Sequence, residues 1–185
     1  MELGGQRRFL RVAMWTGPFF GDHTKLLLSD HPFNALHLLE APNGKVIPPP
    51  AAEKILPPGT AVRIRDIEFP TGWLIAKRVV MSPRYHPWLY IDLIGQDKTY
   101  VVVLPQEASN YEQVRSEVDR FLSTDDPTQA LQSMPQSHRD AVLKKELVEG
   151  MSPQALEMAW GFPERKKIDQ PAKTEEWIWA EGKRK

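Results

Sequence analysis

Polar and apolar positions alternate through Val62, Arg63, Ile64 and Arg65, the period of a strand with one buried and one wet face. Arg63 and Arg65 should therefore point outward. Further runs rich in Val, Ile, Leu and aromatics, bounded by Gly, Pro, Asn or Asp, predict strands at 9–15, 35–39, 61–67, 73–80, 89–94 and 99–104. Pro48-Pro49-Pro50 and Pro57-Pro58-Gly59 are loops, because proline blocks ladder hydrogen bonds and helix interiors. Pro42-Asn43-Gly44, between Leu38-Leu39 and Val46-Ile47, is a turn signal, since Asn and Gly tolerate the positive φ of a tight hairpin. Five or six short strands predict a small antiparallel β-barrel or sandwich over residues 1–105.

After Pro105 the period lengthens. Ser109 and Glu112 form a possible capping box ahead of Tyr111, Val114, Val118, Phe121 and Leu122, which recur at helical spacing. Asp126-Pro127 and Pro135 each start a further helix, the second running through Ala141, Val142, Leu143 and Leu147 to Gly150, placed as a left-handed cap. Ser152-Pro153 starts another, with Ala155, Leu156, Ala159 and Trp160 as its apolar stripe and Gly161 as its stop. A hairpin should follow, its second strand the aromatic Glu176-Trp177-Ile178-Trp179. Residues 106–185 thus read as a helical segment plus a helix–helix–β-hairpin unit, and the whole chain as α+β.

Three phrases of that unit, Val148-Glu149-Gly150-Met151-Ser152, Trp160-Gly161-Phe162-Pro163-Glu164 and Glu176-Trp177-Ile178-Trp179, resemble the BamE/SmpA–OmlA pattern. The resemblance implies two helices packed on a small antiparallel sheet, no enzymatic activity, and protein contacts in the bacterial cell envelope. In the N-terminal part, Leu56-Pro57-Pro58-Gly59-Thr60-Ala61-Val62-Arg63-Ile64 is similar to a strand entry of bacterial SH3-like barrels.

Composition adds exclusions. Lys plus Arg and Asp plus Glu number 24 each, so no overall field draws nucleic acid or an anionic surface. The absence of cysteine removes disulfides, thiolate metal sites and a lipidated cysteine from the chain as given. The apolar stretch after Arg7, Arg8 and Arg11 is cut by Thr16, Gly17 and Pro18, which does not make a signal peptide. The chain as given reads as cytoplasmic, or as an envelope protein if a signal lies upstream. No stretch approaches the ~20 apolar residues of a membrane span.

Candidate chemistry is sparse. Asp22-His23, Asp30-His31 and His37 bring together residue types that hold zinc-like metals, making His23, His31 and His37 the metal candidates of a rival, metal-dependent reading. Their spacing matches none of the compact helical metal motifs. Nucleophile-elbow, P-loop, dinucleotide and zincin signatures are absent, so no catalytic residue and no cofactor is assigned. Arg165-Lys166-Lys167 and Lys183-Arg184-Lys185 lie near Trp177 and Trp179, but such runs more often guard a hairpin edge than bind nucleic acid. The expectation is a non-enzymatic protein-binding scaffold with Trp15, Phe19, Phe20, Tyr85, Trp88, Trp177 and Trp179 as candidate anchors. The terminal aromatic strand is expected to pack on the helices.

Overall fold

The computed structural model describes residues 4–179. The alternation at 61–67 is strand β5 (Ala61–Glu68), with Val62 and Ile64 buried and Arg63 and Arg65 exposed. It belongs to a mixed sheet with β1 (Arg7–Leu10), β2 (Met14–Phe19), β3 (Asp22–Ser29), β4 (Lys54–Leu56), β6 (Trp88–Leu93), β7 (Thr99–Val103) and the two-residue β8 (Leu122–Ser123). Their order is β4-β2-β3-β7-β6-β5-β1-β8. All pairs are antiparallel except β3 with β7, so the sheet is not wholly antiparallel as expected.

The run read as one strand at 9–15 is two, broken at 11–13, where Arg11 N donates to Phe121 O and Ala13 N to Met158 O. This break forces curvature. Five strand gaps separate β2 from β1, roughly 24 Å in a flat sheet, yet the four steps from Leu10 to Met14 reach at most about 14 Å. The sheet therefore curls, and its edges β4 and β8 are not hydrogen-bonded to each other.

Strands β6 and β7, and residues 26–28 of β3, are nearly continuous apolar runs because both sheet faces are covered there. Leu89, Ile91, Tyr100 and Val102 enter the inner core with Leu10, Met14 and Val62. Helix α2 (Tyr111–Phe121) closes that face with Val114, Val118 and Phe121. The same core thus runs past residue 105, where the sequence pattern changes. Asn110, one residue beyond the expected cap, accepts from Gln113 N, and the Gln113 side chain accepts from Ser109 N. On the outer face Trp88, Tyr90 and Val101 join Phe19, Phe20, Leu27 and Phe33.

The segment 33–52 straps this outer face. Residues 35–39 form no strand: a 3-10 turn at Phe33–Ala35 leads into extended chain, and Leu36, Leu38 and Leu39 lie half-buried on the sheet. Their apolar character serves coverage instead of a ladder. The strap fits closely, since a Cβ on Gly17 would meet Ala51 O at 2.9 Å and the Phe33 ring at 3.1 Å. The expected Pro42-Asn43-Gly44 turn is present, with Glu40 bridged to Val46.

Residues 73–80 are also not a strand. Thr71 caps α1 (Gly72–Lys77) by accepting from Leu74 N, and the cap decides a short apolar run that composition alone leaves open.

The C-terminal helices are α3 (Thr128–Gln132), α4 (Gln136–Lys144) and α5 (Pro153–Trp160). Ser152 caps α5 by accepting from Ala155 N, and Gly161 ends it as read from sequence. Helix α4 stops earlier than expected: Lys145, left-handed at φ 55°, caps it, and Gly150, also at positive φ (82°), lies in the loop beyond. Leu131, Val142, Ala155, Met158 and Ala159 form the core of this unit. The hairpin β9 (Arg165–Asp169) and β10 (Thr174–Ile178) contributes nothing to that core and pairs only with itself. In the aromatic second strand and just after it, Trp177, Ile178 and Trp179 are half-buried but none joins that core, and Trp179 meets the end of α5, so the expectation that the strand packs into the helices is corrected. Lys183-Arg184-Lys185 lies outside the described residues.

Candidate functional site

The seven candidate anchors divide by burial. Phe19, Phe20 and Trp88 are buried, with the Phe19 and Trp88 rings edge-on at 4.9 Å, and the Trp88 indole donates to Pro83 O. Trp15 is half-buried and packs edge-on against Trp160. These four serve the interior and are not free anchors. Trp177 and Trp179 are half-buried and lie 5.8 Å apart. Trp177 carries Lys166 over its ring and donates to Glu175, while Trp179 donates to Gly161 O and so pins the hairpin to the end of α5. Tyr85 alone of the seven is open, at 59% exposure.

Around Tyr85 lies a surface the anchor assignment missed. Trp73 and Val80 are each 68% exposed, and Val79 and Met81 are exposed beside them. The Lys77 ammonium sits 4.6 Å from the Trp73 ring centre, and the Arg84 guanidinium stands over Tyr85. From Phe69 to Pro87 the chain has no Asp or Glu. The loop is held from beneath by Arg78, which is buried and donates to Arg84 O at 2.9 Å, His86 O at 2.8 Å and the Glu68 side chain at 3.3 Å. Its guanidinium lies 3.8 Å from the Trp88 ring centre. Glu68, the acid that precedes the segment in sequence, also accepts from the Tyr90 hydroxyl.

A cavity of about 250 Å³ opens at the other end of β3, lined by Ser29, Asp30, His31, Leu36, Leu38, Arg120 and Glu164 among others. His31 Nδ1 lies 2.8 Å from Asp30 Oδ1. That hydrogen bond, more than the opposing burial, raises the His31 pKa. Burial pushes Asp30 up, but the bond to His31 and the charges of His31, Lys145 and Arg120 outweigh it and hold the carboxyl below its ordinary range. Behind this pair the buried Lys145 ammonium donates to Ala13 O and Ala159 O and faces the Trp15 and Trp160 rings. Burial, partly countered by Asp30, pushes its pKa down to about 7.

Compared with family models, curated proteins and solved structures, this chain matches none.

Of the three metal candidates only His31 lines the cavity. His23 and His37 are exposed elsewhere on β3 and the strap, and among the described residues no group of three or more His, Asp or Glu is placed to hold a metal ion. The signals for the missed features were present. Thr71 before Trp73 is a helix start, and nineteen residues without an acid, 69–87, mark a one-signed surface. Arg120 and Lys145 carried no local signal, since only tertiary packing brings them beside Asp30 and His31.

Proposed function

We propose that the protein is a non-enzymatic scaffold that docks an acidic protein surface through segment 69–87. The observation that carries this reading is the run of exposed Trp73, Val79, Val80, Met81 and Tyr85 interleaved with Lys77 and Arg84 and free of acids. Large apolar side chains presented together on a polar rim characterise interaction surfaces, and Trp, Tyr and Arg lead their energetics. Cations without neighbouring carboxylates select an acidic partner. A protein is favoured over an anionic bilayer because two basic side chains supply only about 2 kcal/mol toward lipid and α1 has only 6 residues.

The BamE-like order of the terminal unit supports the same kind of role, protein contacts in the bacterial envelope. The curled sheet is read as an incompletely closed SH3-like barrel that presents the segment. The test places a photo-crosslinking residue at position 73 and maps the crosslinks by mass spectrometry. Crosslinks should fall in one acidic segment of one partner and vanish in the Lys77→Glu, Arg84→Glu variant. Crosslinks unchanged in that variant, or salt-sensitive pelleting with anionic vesicles in place of a protein adduct, overturn the reading.

A further inference from the structure

The cavity at the Asp30–His31 pair shares no lining residue with segment 69–87. We propose that it binds a small zwitterion of the amino-acid class, its carboxylate held by His31 and Arg120, its ammonium by Glu164, and its side chain against Leu36 and Leu38.

Size sets the class. At about 250 Å³ the cavity holds roughly eight water volumes and falls just below the ~300–1,000 Å³ of larger ligand sites. That size suits a single amino acid better than a nucleotide.

Charge sets the orientation. Asp30 engages Nδ1 of His31, which leaves Nε2 as the ring's other hydrogen-bonding atom, and it has no partner among the described residues. In the imidazolium that Asp30 favours, Nε2 is a donor. Arg120 touches Glu117 only at 3.7 Å, beyond hydrogen-bond length, so its guanidinium fork also retains free donors. The two cations repel each other across the same cavity, and Lys145 adds a third positive charge behind them. A carboxylate between His31 and Arg120 relieves that repulsion.

A plain anion would also meet Asp30, Glu117 and Glu164, all in the lining, of which Asp30 is already engaged by His31. Glu164 is exposed and has no ion-pair partner among the described residues. An ammonium on the ligand satisfies it, so only a molecule bearing both charges matches both signs of the wall. The half-buried Leu36 and Leu38 supply the apolar contact.

The test titrates the twenty standard amino acids into the full chain with isotope-labelled histidine and follows the ring signals of His31, assigned with His31→Gln. At least one amino acid with an apolar side chain should give a saturable His31 shift. Its deaminated acid and its decarboxylated amine should each bind at least about tenfold more weakly. Arg120→Gln should weaken binding by roughly ten- to a hundredfold, while the unperturbed signals of the other four of the 5 histidines report an intact fold. No saturable shift from any amino acid at about 10 mM overturns the proposal. So does an acid that binds as tightly as its amino acid, or binding that survives Arg120→Gln.

Discussion

The Lys145 ammonium lies 4.6 Å from the centre of the Trp15 ring. Trp15 is on β2, next to the edge strand β4, and Lys145 ends α4, so this contact ties the C-terminal helices to the sheet. Its donors reach Ala13 O on the sheet side and Ala159 O in α5, making one side chain the bolt between two cores. The reach explains why a lysine ends α4 in the left-handed conformation that favours glycine: the buried contacts offset the backbone strain.

Replacing Lys145 with Met should keep the volume and leave both carbonyls unpaired. Orphaned buried acceptors cost about 1–3 kcal/mol each, so a net loss of about 2–4 kcal/mol is expected. For a chain of this size that is roughly 4–16 °C in Tm, readable by calorimetry. A loss under about 2 °C would show that the bolt is dispensable.

The same residue gives stability a pH slope. Its folded pKa, pushed down to about 7 by burial, lies below the ~10.4 of an unfolded lysine. Between those values the unfolded chain binds the extra proton, so stability from this residue rises with pH, by up to about 1.4 kcal/mol per unit. His31 acts oppositely: Asp30 raises its pKa, so its contribution is full below ~6.5 and lost as pH climbs through the folded value. Urea unfolding at neutral and alkaline pH should show the native protein gaining on Lys145→Met. A constant difference between the two curves would contradict the assigned shift.

Gly44 and Gly59 form a matched pair. Both have positive φ, at 78° and 87°, but a Cβ at Gly44 meets nothing within 4 Å whereas one at Gly59 clashes with Thr128 Oγ1. Gly44→Ala should cost only the left-handed penalty, about 1–2 kcal/mol. Gly59→Ala should cost clearly more by chemical denaturation, because the β4–β5 turn is pressed against the start of α3. Equal costs would mean the contact gives way freely.

Arg78→Lys keeps the charge but not the fork. A single ammonium cannot span Arg84 O, His86 O and Glu68 while lying flat on Trp88. Amide exchange in residues 79–87 should accelerate, with global stability falling by about 2–3 kcal/mol. Unchanged exchange in that loop would place its rigidity elsewhere.

Trp73→Ser and Trp88→Ser should separate surface from core. The first removes an indole that is 68% exposed and should change stability by less than about 0.5 kcal/mol; the second empties a site 2% exposed and should cost at least about 3–5 kcal/mol. Comparable losses in thermal melts would refute the division of the aromatic residues.

Local rules carried much of the fold. The alternation at Val62 to Arg65, the Pro42-Asn43-Gly44 turn, the Ser152 cap and the Gly161 stop all depend on neighbours within a few residues, and each is where the sequence places it. The same rules failed where apolar content met no ladder partner. Residues 35–39 became a covering strap and 73–80 a capped helix with an exposed loop, because a short apolar run does not encode whether it will pair, cover or protrude.

The candidate site was barely legible for the same reason. His31 stood out beside Asp30, but Arg120 on α2 and Lys145 after α4 reach it only through the folding of distant segments. By itself the sequence determined part of the elements with their caps and turns, a neutral charge total and the acid-free run at 69–87. Tertiary structure alone decided which aromatics are buried, how far the sheet curls and which charges meet in the cavity. Side-chain period assigns a residue to a face, while the burial of that face depends on what the rest of the chain lays over it.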